Sequence, residues 1–122
     1  MTHPTLHPIV YAELHTSQPA AAREFYRRLF GWEMKHHPEF DYTEILPGEG
    51  PGAGLMGLTP NDGGPAWVTY IGVADLDAAA ARAVELGAKV RMARTEVPGQ
   101  GWFVWLDDPH GARFALWQKT QS

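Results

Sequence analysis

The chain has 122 residues, about the size of one domain, and its 44% hydrophobic and 11% aromatic content is globular rather than disordered. Ten Lys and Arg against fourteen Asp and Glu give a net charge of −4, and no basic patch indicates a nucleic-acid partner. The absence of cysteine excludes disulfides, thiolate metal sites and cysteine nucleophiles. No apolar run approaches the ~20 residues of a membrane-spanning helix, and the N-terminus lacks the features of a secretory signal. We therefore expect a cytoplasmic protein with no membrane partner.

The first half begins with a strand, "IVYAELH", followed by a helix, "PAAAREFYRRLFG". Pro19 suits the first turn of a helix and Gly31 suits a left-handed stop. The apolar residues of this segment recur at helical spacing and predict one buried stripe, made of Ala22, Phe25, Tyr26, Leu29 and Phe30. Three further strands are predicted in "WEMKHH", "DYTEIL" and "AGLMGL".

The second half repeats this order. The strand "AWVTYIGV" precedes the helix "DLDAAAARAVELG", in which Asp75 is a predicted N-cap and Gly87 a predicted end. Its predicted buried stripe consists of Leu76, Ala79, Ala83 and Leu86. Strands are then predicted in "AKVRMA", "WFVWLD" and "ARFALWQ", and "TPNDGGP" has the composition of a connector between the halves.

The two halves are related by an internal repeat. One constant offset pairs Tyr11 with Val68, and the same offset aligns the stripes of the two helices. The element order predicts two βαβββ modules in a single domain covering residues 1–122. Module one covers about residues 7–58, the linker residues 59–65, and module two about residues 66–118.

Three segments carry a resemblance to a known family. "EFYRRLFGW", "VADLDAAAARAVELGAKV" and "DDPHGARFALWQ" resemble the vicinal oxygen chelate superfamily, which holds glyoxalase I, extradiol dioxygenases, and fosfomycin and bleomycin resistance proteins. The segment from Ala12 to Trp32 is most similar to a branch described as enzymes related to lactoylglutathione lyase. The resemblance implies an α+β glyoxalase/bleomycin resistance fold, in which two modules form an open, barrel-like curved sheet around a cavity with helices outside. Short members commonly form homodimers, so it also implies a homodimer.

Metal-dependent members of this superfamily bind a divalent cation through four places, the first and last strand of each module. In this chain those places correspond to Tyr11, Met56, Val68 and Ala115. Valine and alanine have no donor atom, and a thioether suits soft metals. We therefore predict no metal site and no cofactor.

The cavity wall follows from strand alternation. Phe114 and Leu116 are expected to pack under the helices, which leaves Arg113 and Trp117 facing inward, and the resemblance puts Phe103 and Trp105 inside. An aromatic pocket with few polar groups is typical of a site for a small organic molecule. The predicted ligand-binding residues are Tyr11, Glu13, Tyr70, Phe103, Trp105, Arg113 and Trp117.

Glu13 is the carboxylate of this predicted pocket. An apolar wall would raise its pKa unless Arg113 or His15 pairs with it, and such a carboxylate can act as a general base. It can also complement a cationic ligand, or it can serve only as a structural hydrogen-bonding group, for example toward Tyr70. His15, near the strand end, is expected to be solvated rather than to belong to the pocket.

Two classes of function remain open from the sequence. The first is a metal-free protein that binds or sequesters a small organic molecule, similar in principle to bleomycin resistance proteins. The second is a glyoxalase-like lyase or isomerase. In this enzyme Glu13 is the base and Tyr11 or Tyr70 a proton donor, or else Glu13 and His15 belong to a rebuilt metal site, which would need a third ligand.

Overall fold

The structure is a computed structural model that describes residues 6–58 and 63–120. The described residues form β1 (Ile9–Thr16), α1 (Pro19–Phe30), β2 (Glu33–His37), β3 (Tyr42–Leu46), β4 (Ala53–Gly57), β5 (Ala66–Gly72), α2 (Leu76–Glu85), β6 (Lys89–Val97), β7 (Gly101–Asp107) and β8 (Arg113–Lys119). The predicted α+β class and the two βαβββ modules are therefore confirmed. Residues 59–62 of the predicted linker lie outside the described residues.

The chain divides into two compact units. The first unit comprises residues 11–68, and the second comprises the described residues before Tyr11 and after Val68. In the first unit the strands are ordered β2-β3-β4-β1, and only the β4–β1 pairing is parallel. Its buried core consists of Leu14, Ile45, Ala53 and Leu55.

Helix α1 covers this core with a narrower face than the sequence predicts. Ala22 and Tyr26 pack against the core as expected. Phe25, Leu29 and Phe30 do not, because they are 58%, 57% and 56% exposed. At about 100° per residue, Phe25 and Leu29 lie on a flank of the helix next to the stripe that faces the sheet. The prediction of a single five-residue buried stripe is therefore wrong.

Helix α1 begins and ends at the residues that the sequence predicts. Pro19 occupies the first turn, and Gly31 ends the helix at φ +70 with its N–H bonded to the Arg27 carbonyl at 2.8 Å. This left-handed conformation is strained for residues that carry a Cβ, so glycine suits the position.

In the second unit the strands are ordered β6-β7-β8-β5, and only the β8–β5 pairing is parallel. Phe114 and Leu116 of β8 pack with the α2 residues Leu76, Ala79 and Ala83, as strand alternation predicts. The predicted cap is also present, since the Asp75 carboxylate accepts the Ala78 N–H at 3.0 Å.

One member of the predicted α2 stripe is exposed. Leu86 is 61% exposed, because the helix has already ended at Glu85 and Leu86 is its C-cap residue. Across the two described ranges, neither helix has both the length and the hydrophobicity to cross a membrane.

Candidate functional site

Strand β1 sets out the candidate site in the first unit. Leu14 points into the core, so alternation puts Tyr11, Glu13 and His15 together on the other face. In the parallel pairing with β4, Glu13 lies opposite Gly54 and His15 lies opposite Met56. The predicted shared face of "YAELH" is thus present in the folded strand.

A hydrogen-bond chain links these side chains through Tyr42 of β3. The Tyr42 hydroxyl donates to Glu13 Oε2 at 2.7 Å, and His15 Nε2 lies 2.7 Å from Glu13 Oε1. The Tyr11 and Tyr42 hydroxyls are 2.6 Å apart. Since Tyr42 gives its proton to the carboxylate, the Tyr11 hydroxyl donates to Tyr42, and His15 donates through Nε2. We call Tyr11, Tyr42, Glu13 and His15 the Glu13 network.

Most of this network is withdrawn from water. Glu13 is 5% exposed and His15 is fully buried. Buried polar groups are costly unless they are hydrogen-bonded, and a connected chain strengthens its own bonds. The Glu13 network therefore fixes a carboxylate and a phenol in defined positions on the sheet.

The electrostatics keep both tyrosines of the network protonated at neutral pH. Burial raises the pKa of Tyr11 to about 12; its hydrogen bond with Tyr42 opposes this shift, and the negative charges of Glu13 and Glu44 add to it. Burial, and then the charge of Glu13, also raises the pKa of Tyr42. The two phenols are therefore neutral hydrogen-bonding groups.

Gly54 makes room for the two phenols. A Cβ at this position would overlap the Tyr42 hydroxyl and lie 2.5 Å from the Tyr11 hydroxyl. Gly54 is opposite Glu13 on one side and opposite Glu44 on the other. The absence of a side chain here thus allows the tyrosines of two different strands to meet over β4.

One residue of the site differs from the sequence expectation, and two others were not part of that expectation. The expectation that His15 is solvated is wrong, because the residue is buried and bonded to Glu13. Tyr42 and Gly54 were not predicted as site residues. The alternation of "DYTEIL" carried a usable signal for Tyr42, because apolar Ile45 marks the core face and Tyr42, three residues earlier, points to the opposite face.

The second unit holds an aromatic cluster of its own. The indole Nε1 of Trp105 donates to the Tyr70 hydroxyl at 2.9 Å, and both residues are buried. The ring of Phe103 lies 6.1 Å from that of Tyr70 and 5.7 Å from that of Trp105. These distances fall within the range of favourable aromatic pairs.

Arg113 and Trp117 lie on the same face of this sheet as the cluster. Trp117 is opposite Phe103, and Arg113 is opposite Asp107, in the antiparallel pairing of β7 with β8. The ring of Trp117 extends over Gly101, where an added Cβ would lie 2.8 Å from Cζ2. The predicted residues of the second module therefore share one face, as alternation requires.

The four residues at the superfamily's metal places do not fit a divalent cation. Val68 and Ala115 are fully buried hydrocarbon side chains, and Met56 offers only a thioether. The fourth, Tyr11, is hydrogen-bonded to Tyr42. In residues 6–58 and 63–120, no group of three or more His, Cys, Asp or Glu side chains could hold a metal ion.

Comparison with known proteins agrees with the sequence resemblance. The family model described as glyoxalase-like domain matches residues 11–117. The chain is 31% identical over 91% of its length to CFP32 of Mycobacterium bovis and of Mycobacterium tuberculosis, whose name assigns it provisionally to the glyoxylases. The aligned region is 45% of CFP32, so the chain spans about half the length of these curated relatives.

Solved structures show the same fold. Methylmalonyl-CoA epimerase from Mycobacterium tuberculosis matches with a TM-score of 0.63 at 17% identity, covering 99% of this chain and 94% of the epimerase. A glyoxalase/bleomycin resistance protein/dioxygenase superfamily member from Vibrio splendidus matches with a TM-score of 0.66 at 18% identity, covering 94% of this chain and 100% of that one. The predicted glyoxalase/bleomycin resistance fold is therefore confirmed. The family model covers most of the chain, which shows that the chain belongs to the glyoxalase-like domain family.

Proposed function

We propose that this chain is a small-molecule-binding domain of the glyoxalase type that works without a metal ion, and that its ligand contacts the Glu13 network. The observation that carries the proposal is the engagement of both Glu13 oxygens, one by His15 and one by Tyr42. Binding sites depend on a few polar groups held in fixed positions, and this carboxylate is held in that way.

The same observation favours binding over proton abstraction. A general base must offer an oxygen to the proton that it removes, within hydrogen-bonding distance. At Glu13 a new proton would have to compete with the Tyr42 hydroxyl at Oε2 or with His15 Nε2 at Oε1.

The aromatic residues of the second unit remain predicted ligand contacts. Tyr70, Phe103, Trp105, Arg113 and Trp117 supply one cation and four aromatic rings on one face of a sheet. Aromatic side chains contribute large contact areas in small-molecule sites. A small organic ligand and a cytoplasmic location likewise remain predictions.

A thermal-shift screen tests the binding proposal, because any ligand that binds the native state raises the apparent stability. The probes are small primary amines, quaternary ammonium compounds and aromatic carboxylic acids. Each hit is repeated on Glu13→Gln and on the matched control Glu39→Gln, whose carboxylate is 59% exposed. We expect a hit whose shift is lost in Glu13→Gln, kept in Glu39→Gln, and accompanied by recovery of the unchanged compound. Hits that Glu13→Gln leaves unaffected would contradict a role for the network.

Metal analysis of the purified protein tests the metal-free part separately. We expect no stoichiometric Ni, Zn, Fe or Mn after dialysis, because the residues at the four metal places lack suitable donors. A retained metal that is lost in Glu13→Ala would overturn this part and would support a rebuilt site.

A glyoxalase-like lyase or isomerase is the second candidate. The observation in its favour is the continuous chain from Tyr11 through Tyr42 and Glu13 to His15, since such a chain can relay a proton. Similarity to methylmalonyl-CoA epimerase and to CFP32 is compatible with an enzyme. Incubating each thermal-shift hit with the protein in deuterated water tests this candidate. Exchange of a carbon-bound proton that Glu13→Gln abolishes would establish catalysis in place of simple binding.

A further inference from the structure

A second pair of a glutamate and a histidine lies on the same face of the first unit's sheet as the Glu13 network. His37 Nε2 donates to Glu44 Oε1 at 3.0 Å, as His15 Nε2 donates to Glu13 Oε1. Glu13 and Glu44 both lie opposite Gly54, one on each side of β4, so their side chains share a face. Neighbouring strands are about 4.8 Å apart, which puts the Cα atoms of the two glutamates about 10 Å apart.

The two pairs differ in how much of the carboxylate is accessible. Glu13 is 5% exposed, and both of its oxygens are engaged. The Glu44 side chain is 47% exposed, and within residues 6–58 and 63–120 its Oε2 accepts no hydrogen bond. A ligand can therefore reach an oxygen of Glu44 directly, whereas at Glu13 it would first have to displace a partner.

The protein groups around Glu44 leave this oxygen accessible. Lys35 lies opposite Glu44 in the pairing of β2 with β3, yet no salt bridge joins the two in the described ranges. The pair of His37 with Glu44 is partly exposed, and such pairs contribute little to stability. The negative charge of Glu44 adds to the shift that raises the pKa of Tyr11, so this carboxylate lies within electrostatic reach of the network. A group bound at Glu44 would therefore lie near the network.

The charges on this face favour a cationic partner for Glu44. Burial keeps the phenols of Tyr11 and Tyr42 neutral. Glu13 and Glu44 are carboxylates, and both would repel an anion. A neutral donor would gain an ordinary hydrogen bond at Glu44. A nitrogen cation would gain a charge-assisted one, which is roughly twice as strong.

We propose that Glu44 is the ligand-contacting carboxylate of this site and that it binds a protonated amine or a comparable nitrogen cation. The inference rests on the proposed function, because it concerns a ligand on the same face of the sheet. In this arrangement Glu13 holds the phenols in place, and Glu44 meets the charge of the ligand. Glu44 thus determines specificity for the charge of the ligand.

Probes of similar size and different charge provide the test. Benzylamine, benzyl alcohol and benzoate share a phenyl ring and are cationic, neutral and anionic at neutral pH. Their dissociation constants are measured by NMR titration of the unchanged chain and of Glu44→Gln, which keeps the shape of the side chain and removes its charge. Glu24→Gln on α1 is the matched control, because the Glu24 side chain is 53% exposed and is likewise paired with one side chain. The spectra also verify that each variant is folded.

We expect the unchanged chain and Glu24→Gln to bind benzylamine about tenfold or more tighter than benzyl alcohol or benzoate, because only the amine forms the charge-assisted bond. Glu44→Gln should remove most of this preference, and Glu44→Lys should reverse the order of benzylamine and benzoate. A chain that binds the amine no better than the alcohol would overturn the inference. A loss of affinity in Glu44→Gln by the same factor for every probe would overturn it as well, because it would indicate a purely structural role.

The same titrations, repeated on Glu13→Gln, separate this inference from the proposed function. Binding of benzyl alcohol or benzoate that Glu13→Gln abolishes, without a preference for the amine, would refute the role of Glu44 and support the proposed function. A preference for the amine that depends on Glu44 but is unaffected by Glu13→Gln would support the role of Glu44 and contradict that of the network. A chain that binds none of the three probes would overturn the inference about Glu44.

Discussion

Tyr42 joins the two halves of the Glu13 network, so replacing it with phenylalanine tests the network most directly. The substitution keeps the ring and creates no large cavity. It removes one hydroxyl, which donates to Glu13 Oε2 at 2.7 Å and lies 2.6 Å from the Tyr11 hydroxyl. Only 5% of Glu13 is exposed, so little water can replace the lost donor.

The expected cost follows from the type of bond that is lost. A hydrogen bond to a charged group contributes ~1.5–3 kcal/mol, and a neutral one ~0.5–1.5 kcal/mol. The carboxylate keeps its bond from His15, so part of its charge remains compensated. We therefore expect Tyr42→Phe to lower the free energy of unfolding by about 2–3 kcal/mol, a large share of the ~5–15 kcal/mol of an ordinary domain.

The assay is urea unfolding at neutral pH, followed by both tryptophan fluorescence and circular dichroism. If the two probes give coincident curves, and the slope of the free energy of unfolding against urea concentration is unchanged, the midpoint shift reflects stability alone. Tyr26→Phe is the matched control in the same unit, because the Tyr26 hydroxyl accepts from Trp67 at 3.1 Å at an exposed position. We expect it to change the free energy of unfolding by less than about 0.5 kcal/mol.

A double-mutant cycle with Glu13→Gln then isolates the contact between Tyr42 and Glu13. Residues that share a hydrogen bond typically show a coupling energy of about 0.5–3 kcal/mol. A coupling energy near zero, or an effect of Tyr42→Phe no larger than that of Tyr26→Phe, would refute the reasoning. It would mean that the carboxylate finds an equivalent donor in the absence of the hydroxyl.

Three further predictions concern Gly54, Tyr11 and the N-cap of α2. Gly54→Ala should cost about 2 kcal/mol or more in urea unfolding, because its methyl group collides with both phenols; Gly64→Ala, with open space around it, should be neutral, and equal effects would contradict the crowding. The pKa of Tyr11 is raised from about 10 in the unfolded chain to about 12, so its contribution to stability is complete below pH 10 and is lost as the pH rises from 10 to 12. In a phenolate absorbance titration, Tyr11→Phe should therefore show the same absorbance increase near pH 10 as the unchanged chain. A smaller increase in the variant would mean that Tyr11 ionises near pH 10 and that its pKa is not raised. Asp75→Ala should remove the α2 cap and lower the free energy of unfolding by about 1 kcal/mol, whereas Asp75→Asn should retain most of it.

Most of the secondary structure was predictable because it depends on short-range pattern. Strand alternation separated Phe114 and Leu116, which pack toward α2, from Arg113 and Trp117 on the other face. The ends of α1 followed from one proline and one glycine, whose backbone preferences are local.

The failures occurred where a local pattern depends on what it meets in space. Helical spacing identified Phe25 and Leu29 as apolar, but it could not show that the sheet contacts only the stripe of Ala22 and Tyr26. His15 lies at the end of a strand, a position that is often solvated. In the folded chain His15 is buried and hydrogen-bonded to Glu13, whose other oxygen accepts from Tyr42 of β3.

The sequence by itself determined the family, the two βαβββ modules and the face that Tyr11 and Glu13 share, because repeat, periodicity and motif are all written along the chain. Only the tertiary structure decided which groups Glu13 is hydrogen-bonded to. Its second partner, Tyr42, lies 29 residues away, and the two meet because β4 contributes a glycine between their strands. Register between distant strands is set by packing of the whole sheet, so no local pattern could pair this carboxylate with that hydroxyl.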